Sequence, residues 1–373
     1  MKRIIVSIIS AQTIPNFIFI KETFSIGDEL LFISSKKMKE KIEHITKTLN
    51  YINCPINSIV FSKDNDEESW QAMTNQIENK LSKDVCYIVN LTGGTKYMSL
   101  AIQNVFKKYN SSFFYIPFPK NYILSFEDNI DKTKLIKYRV GVKEYMSLYN
   151  LDVVLKKATQ SYEYASHFFD LFVNGKFSQD EYSIIDKLRA YRDKNITISK
   201  VENLEEGTGK RPRIDNLEAF IEKIEFPNKS GKLSKYELQY ITGGWFEEYV
   251  YYFIKEKLTP DDLKIGVEIQ RTTNTNMNDL DVVFTLGNKL FVIECKTGIG
   301  KKSLFNEIIY KGTALKEYLL GLSANSYLFS LTDKDEDLTQ TASNMGISYI
   351  DRTYFLDEDK SNELIAQIKK FAY

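Results

Sequence analysis

The 373-residue chain predicts an α/β protein with two sheet-containing units and a helical segment between them. Three observations predict this class. Short apolar runs alternate with amphipathic helical patterns over residues 3–116, which is typical of a parallel sheet covered by helices on both faces. Helical periodicity dominates the middle of the chain. Near the end, two β-branched and aromatic runs flank Gly287 and Asn288, a pair that favours a two-residue hairpin turn. We expect the units to span residues 1–145, 146–238 and 239–373.

The first unit is expected to hold five strands with helices between them. We place the strands at residues 3–10, 29–34, 58–61, 85–90 and 112–116, and the helices at residues 36–49, 69–81 and 97–109, with a further helix opening near Pro15. The apolar start could pass for a short signal peptide, but no small-residue cleavage site follows it, so a buried strand is favoured. Parallel sheets bind ligands beyond the carboxyl ends of strands, where the strand order reverses. In a 3-2-1-4-5 order, residues 10–13 and 92–96 form that place.

The loop after the fourth strand has the chemistry of a phosphate-binding loop. It reads Thr92-Gly93-Gly94-Thr95-Lys96 and opens a helix. Two glycines let backbone N–H groups approach a phosphate, the helix dipole favours an anion, and the hydroxyls and the lysine add donors and a cation. The spacing matches neither a Walker loop nor a dinucleotide motif. A tight turn with a helix cap is an equally good interpretation of the loop taken alone.

The remaining elements alternate less regularly. In the middle segment, helical periodicity covers residues 144–157, 162–173, 181–191 and 215–224, with a polar loop at 202–213 whose basic cluster we interpret as solvated. The last unit is predicted to contain a helix at residues 245–258, a strand at 266–271, a polar loop at 272–278, the hairpin, a helix at 303–321 and strands at 326–331 and 347–350.

The hairpin at residues 280–296 places ionisable groups on one face. With Gly287 and Asn288 as the turn, Asp281 lies opposite Glu294, and Lys296 shares their face because alternate strand residues point the same way. The same register pairs Leu286 with Lys289, Phe284 with Phe291 and Val282 with Ile293. Cross-strand carboxylates about 4.5–5.5 Å apart repel each other. A divalent cation between them would remove the repulsion, whereas a surface hairpin with scattered charges is the plain alternative.

The composition limits the kinds of nucleic-acid contact and metal site that the chain can form. Fifty basic residues balance fifty acidic ones, so any contact with nucleic acid requires a local patch. Two histidines are too few for zinc-finger or histidine-metal chemistry, which leaves a carboxylate-only metal site. The three cysteines are far apart and fit buried thiols in a reducing cytoplasm. No apolar stretch approaches the length that spans a membrane.

The acid-x(n)-Glu-x-Lys hairpin resembles the PD-(D/E)XK pattern of restriction-type nucleases, and the order of elements around it fits a restriction-endonuclease-like core. The resemblance implies that Asp281 and Glu294 bind Mg²⁺ or Mn²⁺, helped by the carbonyl of Cys295, and that Lys296 assists the attacking water. A glutamate from the preceding helix often joins such sites; we favour Glu247 over Glu248. Asp279 is either a further ligand or an ion-pair partner of the lysine.

The first unit resembles a CARF domain, the Rossmann-like sensor of cyclic oligoadenylates, through Ser10-x-Gln12-Thr13 and the loop at residues 92–96. Joined to the hairpin unit, it resembles the cyclic-oligoadenylate-activated effector nucleases of type III CRISPR systems. The resemblance implies a homodimer that binds a cyclic oligoadenylate such as cyclic tetra-adenylate and cuts single-stranded DNA or RNA or nicks duplex DNA. The implied contacts to bases or riboses are Ser10, Gln12 and Thr13, and those to phosphates are Thr92, Gly93, Gly94, Thr95 and Lys96, with Ser34, Ser35 and Lys36 as weaker candidates.

Two other functions stay open at this point. The C-terminal unit could bind nucleic acid under control of the ligand without cutting it, although such a module has no need of repelling carboxylates. The sensor could also degrade its own activator if Thr13, Thr95 or Lys96 positioned a ribose 2′-hydroxyl. The sequence does not distinguish DNA from RNA as substrate, nor does it fix the ring size of the activator.

Overall fold

The structure is a computed structural model that describes residues 1–51, 54–61, 66–126, 133–155, 161–205, 211–227, 230–271, 274–298 and 324–373. The helix predicted at residues 303–321 lies outside these ranges. Within them, no helix is long and apolar enough to cross a membrane.

The first unit is a mostly parallel sheet with helices on both faces. Its elements are β1 (Lys2–Ile8), α1 (Ile14–Thr23), β2 (Glu29–Ser35), a 3₁₀ turn (Lys36–Met38), α2 (Lys39–Leu49), β3 (Ile56–Phe61), a 3₁₀ turn (Asp66–Glu68), α3 (Trp70–Glu78), β4 (Val85–Asn90), α4 (Lys96–Phe106), β5 (Ser111–Tyr115), β6 (Tyr122–Ser125) and β7 (Thr133–Leu135). The sheet order is β3-β2-β1-β4-β5-β6-β7, which confirms the predicted order of the first five strands. The antiparallel β6 and β7 were not predicted because such short strands carry little pattern.

Helix α1 lies between the two sheet-containing units. All residues from Ile14 to Ile20 are buried, so this helix has no solvent-facing side along its first two turns. Its side chains belong to one apolar cluster that also contains strand residues of the C-terminal unit; Phe17 shares it with Val283 and Leu290. The two units therefore share a hydrophobic core.

The helix predicted at residues 144–157 is wrong over its second half. The structure has a short α5 (Val142–Ser147), a left-handed Asn150 at φ 62° and then β8 (Leu151–Leu155). Strand β8 pairs antiparallel with a strand of the C-terminal sheet more than a hundred residues later. This pairing outweighs the weak helical pattern, because the preference for strand depends on tertiary context.

The rest of the connector is a set of short helices around one small ribbon. Its elements are α6 (Tyr162–Val173), α7 (Gln179–Leu188), a 3₁₀ turn (Arg189–Tyr191), β9 (Ile196–Thr197), α8 (Ile198–Glu202), α9 (Leu217–Lys223), β10 (Lys232–Leu233) and α10 (Lys235–Gln239). The helices predicted at residues 162–173, 181–191 and 215–224 are thereby confirmed in substance. Of the loop predicted at residues 202–213, positions 206–210 lie outside the described residues.

The C-terminal unit is a mixed sheet flanked by helices. Its elements are a π-helical turn (Tyr240–Gly244), α11 (Trp245–Leu258), β11 (Asp262–Arg271), β12 (Asn274–Leu286), β13 (Lys289–Lys296), β14 (Ala324–Ser330), α12 (Glu336–Asn344), β15 (Ile347–Ile350), α13 (Thr353–Leu356) and α14 (Glu358–Ala372). The sheet order is β15-β14-β13-β12-β11-β8. The polar loop predicted at residues 272–278 is wrong for positions 274–278, which extend β12 alongside β11.

The β12–β13 hairpin has the predicted register. Leu286 pairs with Lys289, Phe284 with Phe291, and Val282 with Ile293. The rings of Phe284 and Phe291 stack with centroids 4.8 Å apart. Cross-strand aromatic pairs of this kind help to fix register, so the local sequence settles how the two strands align.

Candidate functional site

Two carboxylates and one ammonium meet at the end of the hairpin away from its turn. Lys296 Nζ lies 2.7 Å from Glu294 Oε1 and 3.6 Å from Asp281 Oδ2. The side chain of Asp281 is only 8% exposed and that of Lys296 is 25% exposed. Because one ammonium reaches both carboxylates, the two acids lie on the same side of the hairpin, as the predicted register requires.

The backbone of Cys295 holds these side chains in place. Its N–H donates to Asp281 Oδ2 at 2.8 Å, and its carbonyl accepts from Lys296 Nζ at 3.2 Å. Burial by itself lowers the pKa of Lys296, but the carboxylates of Asp281 and Glu294 outweigh it and raise that pKa above its ordinary value. Lys296 is therefore a cation at neutral pH and not a base. Burial raises the pKa of the Cys295 thiol, so this thiol stays protonated.

Two neighbouring glutamates of α11 have different environments. Glu248 is 1% exposed and accepts a hydrogen bond from the hydroxyl of Tyr240 at 2.7 Å. Glu247 is half-buried and lines an open cleft, and its charge acts on the Cys295 thiol of the hairpin. Of the two, Glu247 thus lies in the open cleft, whereas Glu248 is bonded within the interior.

The cleft that Glu247 lines has a volume of about 600 Å³, and Asp281, Glu294 and Lys296 are not among its lining residues. Its lining combines two chemically different groups of side chains. The connector contributes a wall of cationic and aromatic groups, and the C-terminal unit contributes an amide and an acidic wall. The connector residues are Arg192, Lys235 and Tyr236, the amide is Gln239 at the start of the C-terminal unit, and the acidic residues are Glu247, Glu268 and Asp279. Asp279 lies opposite Glu268 in the β11–β12 pairing and is exposed.

Arg192 lines the cleft and was not predicted from the sequence. Its Nε donates to Thr242 Oγ1 and its terminal nitrogen to the Thr242 carbonyl, each at 2.5 Å. Burial and the nearby Arg189 lower the pKa of Arg192, and the charges of Glu247 and Asp281 raise it. A Cβ on Gly243 would lie 3.2 Å from the guanidinium, so the small residue leaves room for it. Gly243 and Gly244, directly before α11, were the local signal that a side chain distant in the sequence packs against this turn.

The oxygen donors of this site suit a hard divalent cation. Asp281 and Glu294 supply carboxylates and Cys295 supplies a backbone carbonyl, the ligand types that Mg²⁺ and Mn²⁺ prefer. Among the described residues, no three His, Cys, Asp or Glu side chains form a ready-made cation cage. The residues therefore fit an ion that keeps water and a substrate phosphate in its shell, as Mg²⁺ commonly does. They do not fit a closed zinc site.

At the edge of the first sheet, the residues predicted after β1 and β2 divide into accessible and buried groups. Ser10 Oγ donates to the Gln12 carbonyl at 3.1 Å, and both residues are half-buried. Thr13 is fully buried, and its hydroxyl donates to the carbonyl of Leu148 at 3.2 Å. Ser34 and Ser35 are the last two residues of β2 and not part of the following loop, and both are buried. Lys36, directly after the strand, is exposed. The structure brings Ser10 and Gln12 to the accessible edge and gives Thr13 a bond into the interior.

The loop after β4 is seated against the end of β1. A Cβ on Gly93 would lie 1.9 Å from the carbonyl oxygen of Ile8, so only glycine fits there. Gly94 adopts φ +76°, and Thr95 caps α4 by accepting a hydrogen bond from the Met98 N–H at 3.2 Å. Gly94, Thr95 and Lys96 are exposed. These three residues present backbone and side-chain donors to solvent at the start of a helix.

Two buried asparagines hold this edge together and were not predicted. Asn16 Nδ2 donates to the Ile8 carbonyl at 3.0 Å, and Asn90 Nδ2 donates to Asn16 Oδ1 at 3.1 Å. Thr92 joins them, since its hydroxyl donates to Asn90 Oδ1 at 2.5 Å and accepts from the Ile116 N–H at 2.8 Å. The hydroxyl of Thr92 is thus used within the protein. An asparagine at the end of an apolar strand was the signal that could have indicated this network.

Comparison with protein families finds two matches along the chain. Residues 4–145 match the Card1 CARF domain, and residues 234–357 match the endonuclease domain described as Card1-like. Comparison with curated proteins finds no match.

Three solved structures share the fold at low sequence identity. The protein VC1899 from Vibrio cholerae is 17% identical with a TM-score of 0.77, and the alignment covers 98% of each chain. Can2 from Sulfobacillus thermosulfidooxidans, solved in complex with cyclic tetra-adenylate, is 22% identical with a TM-score of 0.69 and coverage of 100% of this chain and 99% of Can2. A type III CRISPR defence DNA nuclease activated by cyclic oligoadenylate is 12% identical with a TM-score of 0.56, covering 92% of this chain and 52% of that one.

Proposed function

The chain belongs to the CARF effector nucleases of type III CRISPR systems, and on that premise we propose that it is a metal-dependent nuclease switched on by cyclic tetra-adenylate. The observation that carries the proposal is the shared ammonium of Lys296 between Asp281 and Glu294. In this proposal residues 1–145 are the sensor, 146–238 the connector and 239–373 the nuclease. Strand β8 of the connector completes the nuclease sheet.

Asp281, Glu294 and the Cys295 carbonyl would hold Mg²⁺ or Mn²⁺, which when bound lowers the pKa of water and polarises a phosphate. Lys296 stays cationic and stabilises the negative charge that develops on the phosphate. Glu247, on the cleft side of α11, orients the reacting groups from the opposite side. Arg192 is fixed by Thr242 and presents its charge to a phosphate in the cleft.

The connector wall supports a single-stranded DNA or RNA substrate. Tyr236 is 53% exposed, and the ammonium of Lys235 lies 4.8 Å from the centre of its ring. An exposed ring with an adjacent cation can stack an unpaired base while the cation contacts the backbone. Nicking of duplex DNA requires the same groups on one strand, so both substrate forms belong in the assay.

The exposed part of the sensor edge supports binding of a cyclic oligoadenylate. Gly94, Thr95 and Lys96 lie at the N-terminus of α4, where phosphates bind favourably, and Ser10 and Gln12 lie at the end of the neighbouring strand. Can2, which has this fold, was solved with cyclic tetra-adenylate. A two-fold symmetric homodimer would bind such a ring with one copy of the loop from each subunit. The buried hydroxyl of Thr13 is bonded to Leu148, so we do not propose that it positions a ribose for cleavage.

The test is a cleavage assay on Asp281→Asn and Lys296→Ala with Mn²⁺, cyclic tetra-adenylate and a panel of single-stranded and duplex substrates. We expect each variant to lose at least about 100-fold in activated rate, a loss typical when a transition-state contact is removed. Activator affinity should stay within two-fold of wild type. Asp337→Asn, an exposed acid on α12, is the matched control and should cleave normally.

Two results would contradict the proposal. If both site variants cleaved at the wild-type rate, the proposed active site would be wrong. If cleavage did not require a metal ion, the proposed role of the cation would be wrong. Nucleic-acid binding without turnover under any divalent ion would instead support the ligand-controlled binding module.

A further inference from the structure

The turn of the nuclease hairpin is anchored in the sensor unit. Asn288 is fully buried at φ 62°, although a hairpin turn is ordinarily a surface feature. Its Oδ1 accepts from the Val140 N–H at 2.9 Å, and its Nδ2 donates to Asn121 Oδ1 at 3.0 Å and to the Tyr138 carbonyl at 3.2 Å. Three hydrogen bonds from one side chain therefore join the hairpin to the end of the sensor unit.

The sensor segment that receives these bonds is itself held by α1. Glu22, at the end of α1, accepts hydrogen bonds from the backbone N–H groups of Lys137 and Tyr138, both at 2.6 Å. The ring of Tyr138 packs edge-on against Phe17 of the same helix with centroids 5.9 Å apart. Helix α1 begins directly after residues 10–13, the loop proposed to contact the activator. A continuous set of contacts thus runs from that loop to the hairpin turn.

The hairpin carries this connection onward to the carboxylates. Its register is continuous from the turn to Val282 and Ile293, each one residue from an acid of the site. Next to Asn121, a Cβ on Gly287 would lie 2.2 Å from the carbonyl oxygen of Ala372, so the C-terminal helix packs against the turn as well. A turn packed against both units cannot shift independently of them.

We propose that Asn288 is a positioning residue that couples the sensor to the nuclease. The inference rests on the proposed function and adds the route by which the activator acts. When the loop at residues 10–13 closes on a ligand, α1 and the segment around Tyr138 and Val140 move together, and Asn288 transfers that movement to the hairpin. The activator must then favour one arrangement of the hairpin over the other, as linkage requires.

The experiment compares Asn288→Gly with Asn216→Gly in the full-length protein. Glycine keeps the left-handed backbone in both, and Asn216 has φ 57° on an exposed helix start without a side-chain capping bond. For each protein, three quantities are measured: the affinity for cyclic tetra-adenylate by calorimetry, kcat and KM on a single-stranded oligonucleotide with and without activator, and the thermal unfolding midpoint.

We expect Asn288→Gly to bind activator within two-fold of wild type while its activated kcat falls at least about five-fold, the lower end of ordinary coupling factors. KM should stay unchanged, and Asn216→Gly should behave as wild type. Asn121→Ala removes one partner of Asn288 from the sensor side, together with a hydrogen bond from Asn121 Nδ2 to the Ala372 carbonyl at 3.4 Å, and leaves the turn residues unchanged in sequence. It should reduce activation in the same way. If Asn288→Gly does not fold, Asn121→Ala tests the coupling role instead.

A double variant with Glu22→Ala tests whether the two residues lie on one route. Independent residues would have effects that multiply, but Glu22 and Asn288 both bond the backbone of Tyr138, so we expect their effects to be coupled. On a shared route, the double variant should be no worse than the more impaired single variant. The coupling role is overturned if folded Asn288→Gly and Asn121→Ala keep the wild-type ratio of activated to basal kcat, or if activation is lost only together with activator binding. A wild-type protein that shows no activated cleavage would overturn the proposed function and this inference together.

Discussion

Replacing Gly93 with alanine is expected to displace the loop before α4 and to weaken both folding and activator binding. The added Cβ would lie 1.9 Å from the carbonyl oxygen of Ile8 and 2.9 Å from its carbon. Real Cβ contacts are longer than 3.0 Å, so the loop or the end of β1 must move by about 1 Å. The same carbonyl accepts the hydrogen bond from Asn16. The movement therefore also strains the asparagine network at this edge.

The magnitude follows from these two effects. Overpacking costs about 1–3 kcal/mol, and a buried carbonyl that loses its donor costs about 1–3 kcal/mol. We expect the free energy of unfolding in urea to fall by about 2–6 kcal/mol. Gly298→Ala is the matched control, because a Cβ there meets nothing within 4 Å and its φ is not left-handed. Activator affinity by calorimetry should fall at least ten-fold in Gly93→Ala and stay unchanged in the control.

A folded Gly93→Ala protein with the stability and activator affinity of wild type would refute this reasoning. It would show that the loop is not fixed by its contact with Ile8. If Gly93→Ala lowered the free energy of unfolding but left activator affinity unchanged, the loop would have a packing role and would not be part of the activator site.

Three further predictions concern other side chains. Glu247→Gln should lower the rate of activated cleavage at least ten-fold with little change in the free energy of unfolding in urea. Glu248→Gln should mainly lower that free energy of unfolding, by about 1–3 kcal/mol, because Glu248 is buried and hydrogen-bonded. Arg192→Ala should reduce cleavage of single-stranded substrate, and the exposed Arg213→Ala should not; equal effects would exclude a specific phosphate contact. Burial raises the pKa of Glu22, but bonds from two backbone N–H groups and a lysine outweigh it, so the net pKa lies below the ordinary 4.5. The ionised Glu22 therefore stabilises the folded protein above pH 4.5, and this contribution is lost as the pH falls through the pKa of the folded state. The difference in unfolding free energy between wild type and Glu22→Gln should shrink on acidification.

The hairpin and the parallel sheet could be predicted because their signals are local. A Gly-Asn pair between alternating apolar runs sets the register without reference to the rest of the chain, so the positions of Asp281 and Glu294 followed from counting residues. The strand order of the first unit followed from the alternation of strands and helices together with the general rules for such sheets.

The remaining parts depend on partners that are distant in the sequence. Strand β8 exists because β11 pairs with it, and no pattern within residues 151–155 indicates that partner. Arg192 reaches the cleft through the packing of the connector on α11. Thr13 and Ser34 have the side chains of a ligand-binding edge, but both are buried, and burial depends on what covers a residue.

The origin of β8 limits how this protein can be divided in the laboratory. A fragment that starts after residue 155 would leave the long edge of β11 unpaired, and such edges promote association between chains. A fragment that ends at residue 145 would remove the C-terminal strand residues from the apolar cluster that they share with α1, and so would expose apolar surface. Moving the nuclease unit to a foreign sensor would therefore require carrying β8 along, and moving the sensor would require redesigning the apolar surface of α1.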